Sequence, residues 1–357
     1  MSSELVLHDW SASHNRPIEA ICLGRAGMDL YASDFGATLA TTSTYHKAVG
    51  GSPANIAFAL SKLGTNAAIL SCVSKDGVGE FVRKAMEKQG INTDFLFTVG
   101  GEHRTSLALA EYAPKPEVVI YRNLAADLAL SESHISAIDF SQIRALVVSG
   151  TALSQSPSRE SCYLAMKKAA AEHCKVVLDL DYRAYSWQSS EEAASCYQKA
   201  AELSDVIIGN EEEFQVMMAS ALHSKDSDAM AGIANQLLAK KPEMIVAKAG
   251  EHGCKVFGLD ANQSLTSFSQ GIFQVEAKKP YGAGDAFAGA LLFGLLRGQP
   301  LQDSIALGAA NAAINVMGNT CSEAMAELPE LLAFMKTHRY DFSPQFSLLS
   351  HKESCHG

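Results

Sequence analysis

Gly282, Ala283, Gly284 and Asp285 stand directly before a run, 286–296, that holds no polar side chain. Such a run reads as a helix that is apolar all round and therefore buried. A carboxylate and two glycines at its mouth ask for a reason. The first turn of a helix presents unpaired backbone N–H groups and the positive end of the macrodipole, so it attracts anions. Glycines at 282 and 284 allow backbone geometry that side chains forbid and let an oxyanion approach closely. A transferring phosphoryl group is one such anion, and Asp285 in the same place could accept the proton of an attacking hydroxyl. The apolar helix would then be the anchor that keeps this end still. The plain alternative is a tight turn with Asp285 as an ordinary cap.

Such an end needs a frame, and the sequence alternates in a way that supplies one. Strand-like runs at 19–24, 67–73, 145–150, 175–181, 205–210 and 244–250 are separated by amphipathic stretches at 53–63, 78–89, 158–173, 191–203 and 226–240. That rhythm predicts an α/β fold with a mainly parallel sheet and helices on both faces. From about 285 the pattern is helical, over 285–297, 301–317 and 323–337. Residues 30–49 and 95–122 break the rhythm with β-like runs, which predicts a small lid or dimerising sheet; a plain edge extension is the other reading. One domain is expected over 16–338, with 339–357 a peripheral tail.

In open α/β sheets ligands sit beyond the carboxyl ends of the strands. Gly24, Gly27 and Asp29 follow the first run, and Asp179, Asp181 and Arg183 follow the fourth. Asn210 and Glu213 follow the fifth, Gly250 and Gly253 the sixth. Polar residues also follow strands simply because loops are wet.

Bulk properties exclude several classes. The 357 residues carry a formal net charge of -10, with 19% charged and 47% apolar residues, so a basic nucleic-acid footprint is missing. Eight cysteines are scattered without a C-x-x-C pair, which argues against a disulfide framework or zinc site. The N-terminus lacks a signal-peptide pattern, and no apolar run reaches the ~18 residues of a membrane span. A soluble, cytoplasmic protein of small-molecule chemistry is expected, with neither nucleic acid nor membrane as partner.

Neither a Walker loop nor a G-x-G-x-x-G fingerprint nor a protein-kinase signature occurs. "GAGD" at 282–285 and "GGSPANIAFALSKLG" at 50–64, however, resemble the two signatures of the ribokinase-like (PfkB) sugar kinases. "NEEEF" is similar to that family's N-x-x-E element and "VAKAGEHGC" to its nucleotide-side strand and loop, in an order that agrees from about 18 to 337. The resemblance implies a ribokinase-like three-layer α/β/α sandwich with a small β-sheet lid. It implies ATP and Mg²⁺, with a monovalent cation as a further candidate, and a homodimer through the lid.

By the same resemblance Asp285 is the general base, and the N–H groups of Gly282, Ala283 and Gly284 form the anion hole. Asn210 and Glu213 would organise Mg²⁺ through water. Lys248, Gly250 and Gly253 would border the nucleotide together with Asn210. Asn311 would touch adenine, unless it is a helix-packing residue. Asp29, Gly51 and Asn55 would grip sugar hydroxyls, with Asn55 otherwise a polar residue on a surface helix.

Arg122 and Arg183 end strand-like runs, and a planar guanidinium pairs bidentately with a carboxylate, so the pair suits a small sugar acid. A phosphate contact or a structural ion pair is the alternative for either. Arg25 and Arg104 are weaker candidates of the same kind. The resemblance leaves 2-keto-3-deoxygluconate, fructose and ribose as other acceptors. A catalytically silent sugar- or nucleotide-binding regulator is a further reading, opposed by the intact Asp285. Lys279-Pro280 departs from the family, which has Asp-Thr at those places.

Overall fold

The computed structural model describes residues 5–7, 9, 10, 15–113, 115–218 and 229–340. Strand β1 (Ile18–Leu23) leads into the hairpin of β2 (Gly27–Ala32) and β3 (Tyr45–Gly50), then α1 (Ser52–Lys62), β4 (Ala67–Ser74), α2 (Gly77–Lys88) and β5 (Leu96–Val99). A second hairpin, β6 (Leu107–Ala110) and β7 (Val118–Tyr121), precedes the short α3 (Glu132–Ser136). The alternation resumes with β8 (Ile143–Ser149), α4 (Ser158–Ala171), β9 (Lys175–Asp179), α5 (Ser190–Ala201), β10 (Val206–Asn210) and α6 (Glu211–Met217). It ends with α7 (Ala229–Leu238), β11 (Met244–Lys248), β12 (Cys254–Leu259), β13 (Leu265–Gln270), α8 (Ala283–Leu296), α9 (Leu301–Met317) and α10 (Leu328–Thr337).

Nine strands form the large sheet in the order β13-β12-β11-β10-β9-β8-β1-β4-β5, parallel from β11 to β5 and antiparallel across β12 and β13. Side chains of a strand alternate between faces, and here both faces are covered, so the strands read as continuous apolar runs. Ala20 and Cys22 of β1 join the apolar cluster under α1, α8 and α9, while Ile21 and Leu23 join the one under α4, α5 and α7. The expected α/β/α sandwich is what forms.

Helix α8 explains its own composition. It is buried from Ala286 to Leu296, wedged between α1 and α9. A Cβ on Gly289 would come 2.4 Å from the Ala59 Cβ, so α1 and α8 touch through their backbones. Each fully buried leucine, such as Leu291 and Leu292, contributes roughly 1.5–3 kcal/mol. The N-terminus of α8 is thereby fixed at the carboxyl edge of the sheet.

A small four-stranded sheet, ordered β3-β2-β6-β7, stands beside that edge. It is built from 27–50 and 107–121, so the expected lid segments are corrected at one place. Residues 96–99, placed in the lid by their turn-flanked β pattern, form β5 and pair with β4 at the rim of the large sheet. The β12–β13 hairpin has no counterpart in the sequence reading, because Gly253 and the polar 260–264 turn obscure two short strands. Helix α10 begins at Leu328 rather than 323. Tyr340, assigned to the peripheral tail, stacks on Phe273 with ring centroids 4.6 Å apart; residues 341–357 lie outside the described residues.

Candidate active site

Gly282 caps α8 in the left-handed conformation, with φ 86°. A Cβ there would lie 2.7 Å from Asn315 Oδ1 and 2.8 Å from Cys321 Sγ, so the turn has room only for glycine. Having no side chain, Gly282 leaves the first-turn N–H groups to an outside acceptor. Gly282 and Asp285 both line a cavity of about 250 Å³ at the carboxyl edge of the sheet, closed on its far side by the small sheet.

The Gly50-Gly51 pair shapes the opposite wall. A Cβ on Gly50 would overlap the Asp29 carboxylate at 1.9 Å, and one on Gly51, whose φ is 109°, would meet the Arg25 carbonyl at 2.2 Å. The turn into α1 therefore presses against Asp29 and aims the first turn of α1 at α8. Asn55 Nδ2 donates to Asp285 Oδ2 at 2.7 Å. Ser52 Oγ donates to Asp179 Oδ2 at 2.8 Å. Asn55 Oδ1 is buried with no partner among the described residues, and Asn55 lines the cavity. An orphaned acceptor there is suited to a ligand hydroxyl.

Strand ends supply the charges. Lys248 Nζ, at the end of β11, lies 3.3 Å from Asp179 Oδ1 at the end of β9. Asp181 holds a positive φ of 38°, kept there by hydrogen bonds from Ser149 Oγ at 3.1 Å and Thr151 Oγ1 at 3.3 Å. Burial works against the Lys248 charge, but Asp179, Glu213 and Asp285 outweigh it and hold the ammonium protonated. Asp285 is pushed from the ordinary 3.8 up to about 7, first by burial and then by Asp179 and Asp181, against the pull of Asn55 and Lys248. A carboxylate titrating near neutrality is a competent proton acceptor at physiological pH.

That value has a measurable consequence. Below it Asp285 is protonated and cannot accept a proton, so kcat/KM should fall on the acid side with a limb at about 7. Asn55→Ala removes a donor that favours the charged form, so the limb should move up; Asp181→Asn removes a repelling charge and should move it down. A pH–rate profile of the three proteins checks both signs.

The other expected residues distribute as follows. Asp29 lines the cavity, accepting from Arg25 at 3.3 Å and from Tyr31 Oη at 3.1 Å. Arg183 lines it too, bonded to Asp181 Oδ1 at 2.7 Å and to the Tyr182 carbonyl at 2.9 Å, with its side chain 48% exposed. Arg122 touches the cavity, but its guanidinium is committed to Asp127 Oδ2, at 3.0 and 2.5 Å, and to the Thr151 carbonyl at 3.0 Å. For Arg122 the structural ion pair is the reading that fits. Arg25 is at the wall; Arg104 caps the Gly101 and His103 carbonyls and does not line the cavity.

At the end of β10 and the start of α6, Asn210 and Glu213 form a capping box. Glu213 N–H donates to Asn210 Oδ1 at 2.9 Å, and Asn210 N–H to Glu213 Oε2 at 2.7 Å. Tyr182 N–H donates to Glu213 Oε1 at 3.1 Å. Burial raises the Glu213 pKa despite Lys248, so a cation nearby would be welcome. No group of three or more described His, Cys, Asp or Glu residues could hold a metal directly. The carboxylate and amide oxygens of Glu213 and Asn210 are of the hard kind that suits water-mediated contact with an ion such as Mg²⁺.

Gly250 and Gly253, at φ 58° and 85°, make the tight turn between β11 and β12. Asn311 is corrected to a packing residue. It is 0% exposed, its Nδ2 donates to the Ala286 carbonyl at 3.0 Å and its Oδ1 accepts from Ala326 N–H at 3.0 Å. Buried and held at both ends of its amide, it is not presented to a ligand.

Sequence reasoning missed Ser52, Tyr31 and Tyr281 as wall residues. Tyr281 stacks on Tyr31 at 5.6 Å and donates its hydroxyl to the Glu111 carbonyl at 2.8 Å, tying the α8 turn to the small sheet. Ser52 was findable, because it follows the glycine pair at the start of α1; the two tyrosines carry no local signal.

The chain matches the pfkB family carbohydrate kinase model over residues 18–327. It is a PfkB-family carbohydrate kinase. A relative from Photobacterium profundum, 5-dehydro-2-deoxygluconokinase, is 46% identical over 329 residues, 92% of this chain and 97% of that protein. One of the same name from Bacillus anthracis is 37% identical over 325 residues, 90% and 96% of the two chains. A fructokinase of Xylella fastidiosa with bound ATP shares the fold of this PfkB kinase, with TM-score 0.78 and 22% identity over 90% of this chain and 98% of that one. The Lys279-Pro280 pair and stretches such as "GRAGMDLY" and "LDLDYRAYSW" are those by which the sequence also resembles 5-dehydro-2-deoxygluconokinase.

Proposed function

We propose that this PfkB kinase transfers the γ-phosphoryl group of ATP to the terminal hydroxyl of 5-dehydro-2-deoxygluconate, giving the 6-phosphate, a step of inositol catabolism in the cytoplasm. The observation that carries the reading is that Asp285 and a half-exposed guanidinium, Arg183, line one cavity in a chain 46% identical to a kinase of that name. Arg183 keeps N–H groups beyond those given to Asp181 and Tyr182, and these suit the acid's carboxylate.

In this reading Asp29 and the free Asn55 Oδ1 take sugar hydroxyls. Asn55 Nδ2 holds the Asp285 carboxylate, which receives the hydroxyl proton as the new O–P bond forms and the bond to ADP breaks. The N–H groups of 282–284 and the α8 dipole meet the transferring phosphoryl group. Lys248 Nζ would stand 3.2 Å from a Cβ on Gly284, close under the same anion. Mg²⁺, held through water by Asn210 and Glu213, would neutralise the phosphate chain.

Arg183→Ala should raise the KM for the sugar acid on the order of 10²-fold, the value of a lost charge-assisted pair, while the KM for ATP stays within about threefold. Equal rises in both would remove the carboxylate role. Phosphorus–proton coupling in the product should place phosphate on the terminal CH₂; phosphate on a ring or secondary carbon would contradict the reading.

A further inference from the structure

Lys279 stands three residues before Gly282, and its side chain is 0% exposed. Burying an ammonium costs several kcal/mol unless the ion is well paired. Here Nζ has neutral partners: it donates to the Tyr281 carbonyl at 2.9 Å and to Asn315 Oδ1 at 2.8 Å, and it lies 5.1 Å from the Tyr281 ring centroid. Burial favours loss of its proton, opposed by Cys321 and Asp285. A methionine would fill the space without that cost, so stability does not explain the residue.

Its partners do. The Tyr281 carbonyl belongs to the peptide that enters Gly282. Asn315 Oδ1 is the atom a Gly282 Cβ would strike, at 2.7 Å, and Asn315 Nδ2 donates onward to the Cys321 carbonyl at 2.7 Å. Tyr281 and Gly282 line the cavity and Lys279 does not. The ammonium thus grips the turn from behind, while the N–H side of the turn is left for the anion.

We propose that Lys279 is a positioning residue for phosphoryl transfer. It is a fixed internal cation that holds the carbonyl side of the 281–284 turn and offsets the negative charge gathering on its N–H side. An ammonium held by two neutral oxygens supplies behind this turn the charge that a small monovalent cation would otherwise bring, so the enzyme needs none. The inference rests on phosphoryl transfer at Asp285 and is independent of which sugar is the acceptor.

Two measurements of ADP release test it. Wild-type turnover in tetramethylammonium buffer should change by less than about twofold when potassium or ammonium chloride is added; activation of about tenfold or more would overturn the proposal. Lys279→Met, which fills the space without a charge, should lower kcat on the order of 10²-fold with both KM values within about threefold and with no recovery by small cations. Lys279→Ala, which leaves the space open, should lose as much and regain about tenfold in ammonium or potassium ions. A folded Lys279→Met that keeps kcat within about threefold, or a folded Lys279→Ala whose loss no small cation recovers, would also overturn it. If neither variant folds, the wild-type salt comparison decides alone. No ADP release from wild type in any salt would refute the underlying transfer reading instead.

Discussion

Asp285→Asn should lower kcat on the order of 10³-fold while leaving the affinity for ATP within about threefold. Asparagine keeps the size and the hydrogen bond to Asn55 is replaced by an amide contact, so the turn persists, but no group remains that can take the hydroxyl proton. The same variant should be more stable than wild type at about pH 8 and much less so at about pH 5. The sign follows from a folded pKa of about 7 against an ordinary 3.8: the buried carboxyl is tolerated while protonated, and the cost of its charge enters as pH rises through that interval. Turnover, ATP titration and Tm at the two pH values check the three parts. Turnover above about a tenth of wild type would remove the base assignment.

Gly282→Ala should be nearly as damaging to kcat, on the order of 10² to 10³-fold, with both KM values changed by less than about fivefold. An L-residue at φ 86° costs about 1–2 kcal/mol, and its Cβ would press Asn315 Oδ1 and Cys321 Sγ at 2.7 and 2.8 Å. The turn must shift, and the N–H groups that face the phosphoryl oxygens shift with it. Ground-state contacts to sugar and nucleotide lie on other elements and are spared. Kinetics on a variant shown to be folded checks this; a kcat within about threefold of wild type would mean that the turn is not the anion hole.

Much of this was legible because it is local. The βα alternation, the apolar 286–296 run and the glycines at 50, 51, 282 and 284 each dictate their own geometry, and the cavity gathers Asp29, Gly51, Asn55, Arg183, Gly282 and Asp285 as expected. What the sequence did not disclose depends on partners distant in the chain. Arg122 reads as a free cation until Asp127 and Thr151 fold against it. Asn311 reads as either an adenine contact or a helix-packing residue until Ala286 and Ala326 take both ends of its amide. Lys279 stands out in the sequence only as a departure from the family's Asp-Thr, and its role appears when Asn315, 36 residues on, takes its ammonium. β5 was misplaced because a four-residue strand with turns on both sides carries no sign of which sheet it joins.

The most direct test of the account is kcat/KM for 5-dehydro-2-deoxygluconate, 2-keto-3-deoxygluconate, fructose and ribose with Mg-ATP, followed by ADP release. The account predicts that 5-dehydro-2-deoxygluconate exceeds the neutral sugars on the order of 10²-fold, the discrimination one charge-assisted guanidinium–carboxylate pair supports. A neutral sugar turned over more efficiently than either acid would leave Asp285 and the fold in place and contradict the reading of Arg183 and of the substrate.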